Sequence, residues 1–263
     1  MKKIMGVVVC MLVMATAVPA VSAVTVLHPF LAASSRIGVK LVATVTEVDD
    51  DWGLLGGVIH VGDVITGKYT YVTGVPDMEP NPEMGYYYFT FRPCGFEVKA
   101  GGLVFKTDPR NIQFEIGVYN DFDEYGNQPL DALQLASDMN RALSNGMTVD
   151  EILWVLIDPS ATAIANTDLP TTAPVLADWP SGPGLVLGGK DPSDAQKQYT
   201  VTAHVTVATT TQAVSSVGIS GDLGTPSVAL PHASTLPFKP VWIKVLFERF
   251  PHAFPLLRHL LGY

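Results

Sequence analysis

The chain has 263 residues, 48% of them apolar, and a formal charge of −9. That acidity argues against a nucleic-acid partner, which needs clustered Lys and Arg to displace phosphate counterions. The apolar fraction is enough for one sizeable core.

Lys2 and Lys3 form a positive start, Ile4 to Val18 a nearly unbroken apolar run, and Pro19 then leads into Ala20-Val21-Ser22-Ala23. Val21 and Ala23 suit the −3 and −1 positions of a cleavage site, so residues 1–23 are expected to be a secretory signal peptide. A permanent anchor fits less well, because the run is short for a span of ~20 residues and no stop-transfer pattern follows. Cys10 lies in the middle of the apolar run, where a lipid-modified cysteine would not be. Cleavage leaves 240 residues with a charge near −11, since the leader carries two lysines and no acid. Cys94 is then the lone cysteine, expected as a small buried hydrophobe in a fold held by packing.

The body reads as strands. From Gly38 to Val48 apolar residues alternate with Thr and Glu, the period of a half-buried strand, and Asp49-Asp50-Asp51 ends it. Val64–Val72 is a second strand, closed by Gly74, Pro76, Pro80 and Pro82. Tyr86–Phe91 is aromatic and β-favouring, with Pro93 confined to an edge or strand end because it offers no N–H. Leu103–Phe105 and Ile112–Tyr119 continue the series. Leu133–Ala136 and Val149–Ile157 are ambiguous and admit a helical turn. Tyr199–Val207 alternates most cleanly. Short strands between Gly/Pro turns predict an all-β, antiparallel, jelly-roll-like β-sandwich over residues 24–209.

Val61-Gly62-Asp63-Val64-Ile65-Thr66-Gly67-Lys68-Tyr69-Thr70-Tyr71 resembles the VGD…(F/I)-x-G-x-Y-x-Y second strand of exported proteins sorted by the PEP-CTERM system. Leu156–Ala163 followed by Asp168-Leu169-Pro170-Thr171-Thr172-Ala173-Pro174 is similar to their L-x-D-P-(S/T)-G-T-A…L-P-T-T-P-P connection, and Tyr199–Val207 to their last strand. The resemblance spans roughly residues 38–209, within one-domain size, without the Pro-Glu-Pro signal, transmembrane segment or terminal basic cluster. It implies a secreted, surface- or matrix-associated β-sandwich, often linked to exopolysaccharide, and no catalytic residues.

Residues 210–240 are rich in Ser, Thr, Ala, Gly and Pro, the composition of a linker or edge strand, with Ala213–Ile219 as a candidate last strand. Residues 241–263 then read as an amphipathic helical tail. Trp242, Val245, Leu246 and Phe250 share one face, and Pro255 opens a second short helix edged by Leu256, Leu257, Leu260 and Leu261. From residue 236 on, Lys239, Lys244, Arg249 and Arg258 against Glu248 give +3. The tail resembles an ERFPxAFPLLRxLLG-like ending that recurs on exported prokaryotic proteins. It fits docking on the sandwich, attachment or sorting, and peripheral membrane contact. Its reversed charge and the preceding linker favour an attachment or sorting element acting apart from the sandwich's stability.

Chemistry-bearing motifs are sparse. Gly218-Ile219-Ser220-Gly221-Asp222 lacks the final Gly of a nucleophile elbow. His28, His60, His204, His232, His252 and His259 are too scattered for a zinc site. Asp121 and Asp123 with Gly126 match calcium-loop positions 1, 3 and 6, but Ala132 stands where the bidentate Glu belongs, so a solvated acidic turn is expected. Asp49–Asp51 with Trp52 offers a cation or sugar contact but reads first as a turn. Of Tyr86-Tyr87-Tyr88-Phe89, alternation buries two rings. No catalytic, cofactor-binding or metal-ligating residue is assigned. The sequence therefore favours a non-enzymatic exported structural or interaction protein of the cell surface or extracellular matrix, with surface polysaccharide or other envelope proteins as partners. The alternative is a carbohydrate-binding module, with or without calcium. Intact-mass analysis of the exported protein is expected to place its first residue at Val24; a mature form keeping Met1 would contradict the leader assignment.

Overall fold

The computed structural model describes residues 34–123 and 129–214. The leader, residues 124–128 of the Asp121 loop, Gly218–Asp222 and the tail lie outside these residues.

Ten strands follow one another: β1 (Arg36–Asp49), β2 (Val64–Val72), β3 (Met84–Phe89), β4 (Gly95–Ala100), β5 (Leu103–Lys106), β6 (Phe114–Phe122), β7 (Leu130–Ser137), β8 (Glu151–Asp158), β9 (Ser181–Asp191) and β10 (Asp194–Val214). The all-β, antiparallel expectation holds. The strands form one hydrogen-bonded sheet in the order β3-β6-β7-β8-β9-β10-β1-β2-β4-β5, strongly curled into a half-barrel, rather than two separate sheets. The helical turns admitted over Leu133–Ala136 and Val149–Ile157 do not form. Those segments are β7 and β8, and the one helical element among the described residues is a short 3₁₀ turn at Leu176–Asp178. β10 continues past residue 209 to Val214.

The spine of the curl is β10 and β1. Their pairing shifts register at Gly38/Val39, Val42/Ala43 and Val45/Glu47. Each irregularity bends the ladder and adds local twist, which turns long strands around a core instead of letting them lie flat. The sheet thereby divides into two wings that face each other, β3-β6-β7-β8-β9 and β10-β1-β2-β4-β5.

Alternation fills the space between them. Val39, Leu41, Ala43 and Val45 of β1, Tyr69 and Tyr71 of β2, and Ile152, Trp154 and Leu156 of β8 all point inward and are almost wholly buried. Aromatic contacts join the wings: Tyr69 to Trp154 at 5.6 Å between ring centroids, Phe96 of β4 to Phe114 of β6 at 5.4 Å, and Tyr71 to Phe89 of β3 at 6.3 Å. Tilted and edge-on rings at these distances contribute about 0.5–1.5 kcal/mol per pair beyond area burial.

A polar junction fixes one corner of the curl. Thr107, just past β5, accepts a hydrogen bond from the Phe96 amide at 2.9 Å and lies 2.7 Å from Ser137 Oγ at the end of β7. Ser137 Oγ donates in turn to Asn140 at 2.8 Å. Backbone bonds from Arg141 to Lys106 (2.8 Å) and from Asp108 to Met139 (2.9 Å) reinforce the same crossing between wings. Loops close the two mouths. Leu55, Ile59, Leu143 and Val149 pack at one end, and the 159–180 loop covers the other, where Tyr87 donates to Thr167 O at 2.9 Å and Tyr71 donates to Pro170 O.

Cys94 is a free, buried cysteine, matching its expected role as a small hydrophobe. Burial pushes its thiol up to about 12. At pH 8 the native protein is therefore expected to hold roughly a thousandfold less thiolate at this site than the unfolded chain, and to react with a disulfide reagent correspondingly slowly. Equal labelling of native and urea-unfolded protein would contradict this burial.

Candidate anion-binding face

The outward side chains of the β1-β2-β4-β5 wing are short, polar or cationic. Register sets the cations in line. Lys40 pairs with Lys68, Lys68 with Glu97, and Glu97 with Lys106, a row across four strands. Strands lie ~4.8 Å apart, so the row is ~15 Å long. Lys99 stands one outward position along β4, and Arg36 one end further along β1.

Beside the row lies a groove of about 390 Å³ lined by Arg36, Lys68, Arg92, Lys106 and Arg141, with Glu97 as its one carboxylate. The turn before β4 shapes its floor. Gly95 adopts φ +127° there, and a Cβ on it would come within 2.5 Å of Thr107 Oγ1, the atom that anchors the wing junction. Glycine is needed at this point for both backbone conformation and space.

The charges are not balanced. Glu97 takes a 2.6 Å bond from Lys106 and lies 4.0 Å from Lys68; the Lys106 hydrogen bond leads in holding its carboxyl below the usual range. Asp108 is held at about 2 by hydrogen bonds from Arg110, with Arg141 3.8 Å away. Arg92 donates from Nε to Pro109 O at 3.0 Å and keeps the rest of its guanidinium free of carboxylates among the described residues, as does Arg36. Lys40 directly opposite Lys68 is unfavourable within the sheet. Two like charges in register, on a chain this acidic, define a surface suited to an anion.

The positions singled out in the sequence have other settings. Asp50 accepts from the Leu54 and Leu55 amides at 2.7 and 2.8 Å, so the Asp49–Asp51 run forms a turn. Trp52, 60% exposed, has Lys197 5.6 Å over its ring at the opposite end of β1 from Arg36. Tyr87 and Phe89 are buried in the core, whereas Tyr86 and Tyr88 are half-buried on the other side of β3. His204 is exposed on β10 and His60 lies in a loop. Asp121 and Asp123 are exposed, and no group of three metal-binding side chains occurs among the described residues.

Two carboxylates that no sequence pattern linked do come together. Asp131 and Asp158 are register partners on β7 and β8, and both are buried. Their oxygens are used structurally. Asp131 accepts from the Asp121 and Ile164 amides at 2.9 and 3.0 Å, and Asp158 from the amides and hydroxyls of Ser160 and Thr162 at 2.6–3.0 Å. They fasten the start of the 159–180 loop and leave no free acid–base pair.

Comparison with protein-family models, curated proteins and solved structures finds no match. The chemistry of this face therefore rests on its own residues.

Burial opposes ionisation of Asp158, yet the Ser160 and Thr162 bonds outweigh it and hold the carboxyl at about 2. A depressed carboxylate contributes stability above its unfolded pKa near 3.9 and loses it as pH falls through the folded value. Asp158→Ala is expected to cost about 2–3 kcal/mol at pH 7 in urea unfolding. The gap from wild type should narrow as pH is lowered from 5 towards 2; a gap constant across that range would contradict the charged anchor.

Proposed function

We propose that the mature chain is a non-catalytic exported structural or interaction protein of the cell surface or extracellular matrix whose basic face holds an acidic polysaccharide. The carrying observation is the in-register row Lys40, Lys68, Glu97 and Lys106, in which three cations face one carboxylate, flanked by Arg36, Arg92 and Arg141. Export follows from the leader reading of residues 1–23. The curled sheet serves as a rigid sandwich-like, jelly-roll-like scaffold, with residues 241–263 as its helical tail.

The chemistry selects the ligand class. Several cations fixed on an open face, with Glu97 as the one carboxylate among them, suit a flexible polymer that carries repeated carboxylates or sulfates. The outward positions of β1, β2, β4 and β5 carry no aromatic ring, so a neutral sugar has nothing to stack on there. The acidity of the remaining surface repels a long polyanion that overhangs the patch, which disfavours nucleic acid and favours a flexible chain held locally. This reading needs no calcium.

Binding of polygalacturonate and of neutral dextran to the mature protein at low ionic strength tests it. Polygalacturonate is expected to bind, dextran not, and EDTA to change nothing. Lys40→Ala with Lys68→Ala removes two exposed contacts of ~0.2–1 kcal/mol each and should weaken binding by up to about thirtyfold. Dextran binding with equal affinity, or loss of binding with EDTA, would overturn this reading and return attention to the Asp121–Asp123 loop.

A further inference from the structure

The two wings differ on their outer sides. On the second wing, outward Val64 and Val104 are 62% and 41% exposed, as an uncovered sheet face leaves them. On the first wing the outward side chains form a second apolar cluster containing Tyr119, Phe122, Leu153, Val155, Ile157 and Val186, none more than 7% exposed. Tyr119 lies back over Gly117, where a Cβ would come within 2.8 Å of its ring. No apolar side chain of the described loops packs on this cluster. Their apolar residues, Leu54, Val75, Ile164 and Leu169 among them, pack on the inner core, and among the described residues the outer cluster gains only Leu130 of β7 itself.

A polar atom marks the middle of the same face. Gln134 alternates with Ala132 and Ala136 of the outer cluster and is 7% exposed, and its Oε1 accepts no hydrogen bond among the described residues. A buried acceptor of this kind calls for a donor brought by whatever lies over it.

We infer that this outer face is the seat of the chain's own C-terminal segment, residues 241–263. Three observations select that occupant. First, β10 ends at Val214 at the same end of the sheet as Met84, Tyr119, Ile157 and Leu130, because His204 pairs with Gly184 and Ile157 with Ser181. The residues between Val214 and Val241 can reach ~90 Å when extended, against a five-strand wing ~25 Å wide. Second, the segment offers large apolar side chains at helical spacing, including Trp242, Leu246, Phe250, Leu257 and Leu260, matched to a face whose own side chains are apolar. Third, charge agrees. β3, β6, β7 and β8 contain no Lys or Arg, and Lys190 at an outward position of β9 is paired with Asp150 at 3.0 Å, while Glu115 and Glu151 lie at outward positions and Asp121 and Asp123 at the rim; the segment from residue 236 carries +3. The basic face of the other wing repels it. In this inference the tail is part of the fold, a role distinct from the separate attachment element that its charge and linker suggest.

The test uses the full mature chain. A photoreactive benzophenone amino acid in place of Tyr119 is irradiated, and the captured peptide is identified by mass spectrometry. Capture of a peptide from residues 241–263 of the same chain is expected. Capture of residues 24–33, of a second copy or of lipid, or no capture at all, would overturn the inference. In parallel, the double variant Leu246→Asp/Leu257→Asp is expected to lower the melting temperature by roughly 5–10 °C and to bind a hydrophobic dye in the native state. An unchanged melting temperature without dye binding would also overturn it.

Discussion

The inward press of one face of a single sheet upon itself is the constraint on which the rest depends. A sheet has two sides, and ten strands cannot be stable with both in water. Register shifts between β1 and β10 bend the ladder, the wings close, and Tyr69 meets Trp154 although β1, β10 and β9 separate their strands within the sheet. The inner face then needs no second sheet. The polar junction at Thr107 and Ser137 and the loop fastened by Asp131 and Asp158 hold this closure at its corner and its mouth.

Once the inner face is satisfied, the two outer faces are free to differ, and they differ in both polarity and sign. One is polar, cationic and open, the other apolar with acidic flanks and buried. That asymmetry connects fold to function. A cationic row survives on an acidic protein only where the sheet itself fixes it, since flexible loops would let Lys40 and Lys68 part. A rigid scaffold presenting one charged face suits the proposed role of holding an extended acidic polymer.

Much of the scaffold was legible in the sequence, unevenly and for physical reasons. β2 was readable to its last residue, because Ile65, Tyr69 and Tyr71 alternate with polar positions and Gly/Pro turns follow. β1 was readable from the same period of two, and β10 over Tyr199–Val207, whereas its continuation to Val214 runs into the Ser/Thr-rich stretch that reads as a linker or edge strand. β7 and β8 were ambiguous because Ile152–Ile157 is apolar at every position; such a run is the mark of a strand buried on both sides, and alternation is absent for that reason. β9 was missed because Gly182-Pro183-Gly184 reads as a breaker, although Leu185-Val186-Leu187 follows directly. β4 was missed despite a clear alternation of Phe96, Val98 and Ala100 with Glu97 and Lys99. The candidate site was not legible at all. Its cations come from β1, β2, β4, β5 and two loops, and only register brings Lys40, Lys68 and Lys106 into line.

The closure of the curled sheet is most directly tested by a double-mutant cycle between Tyr69 and Trp154, using Tyr69→Leu, Trp154→Leu and the double variant in urea unfolding. Contact between facing wings predicts a coupling of about 0.5–1.5 kcal/mol. Costs that add within about 0.3 kcal/mol would mean that the two rings do not meet, and that the wings are not folded onto a common core.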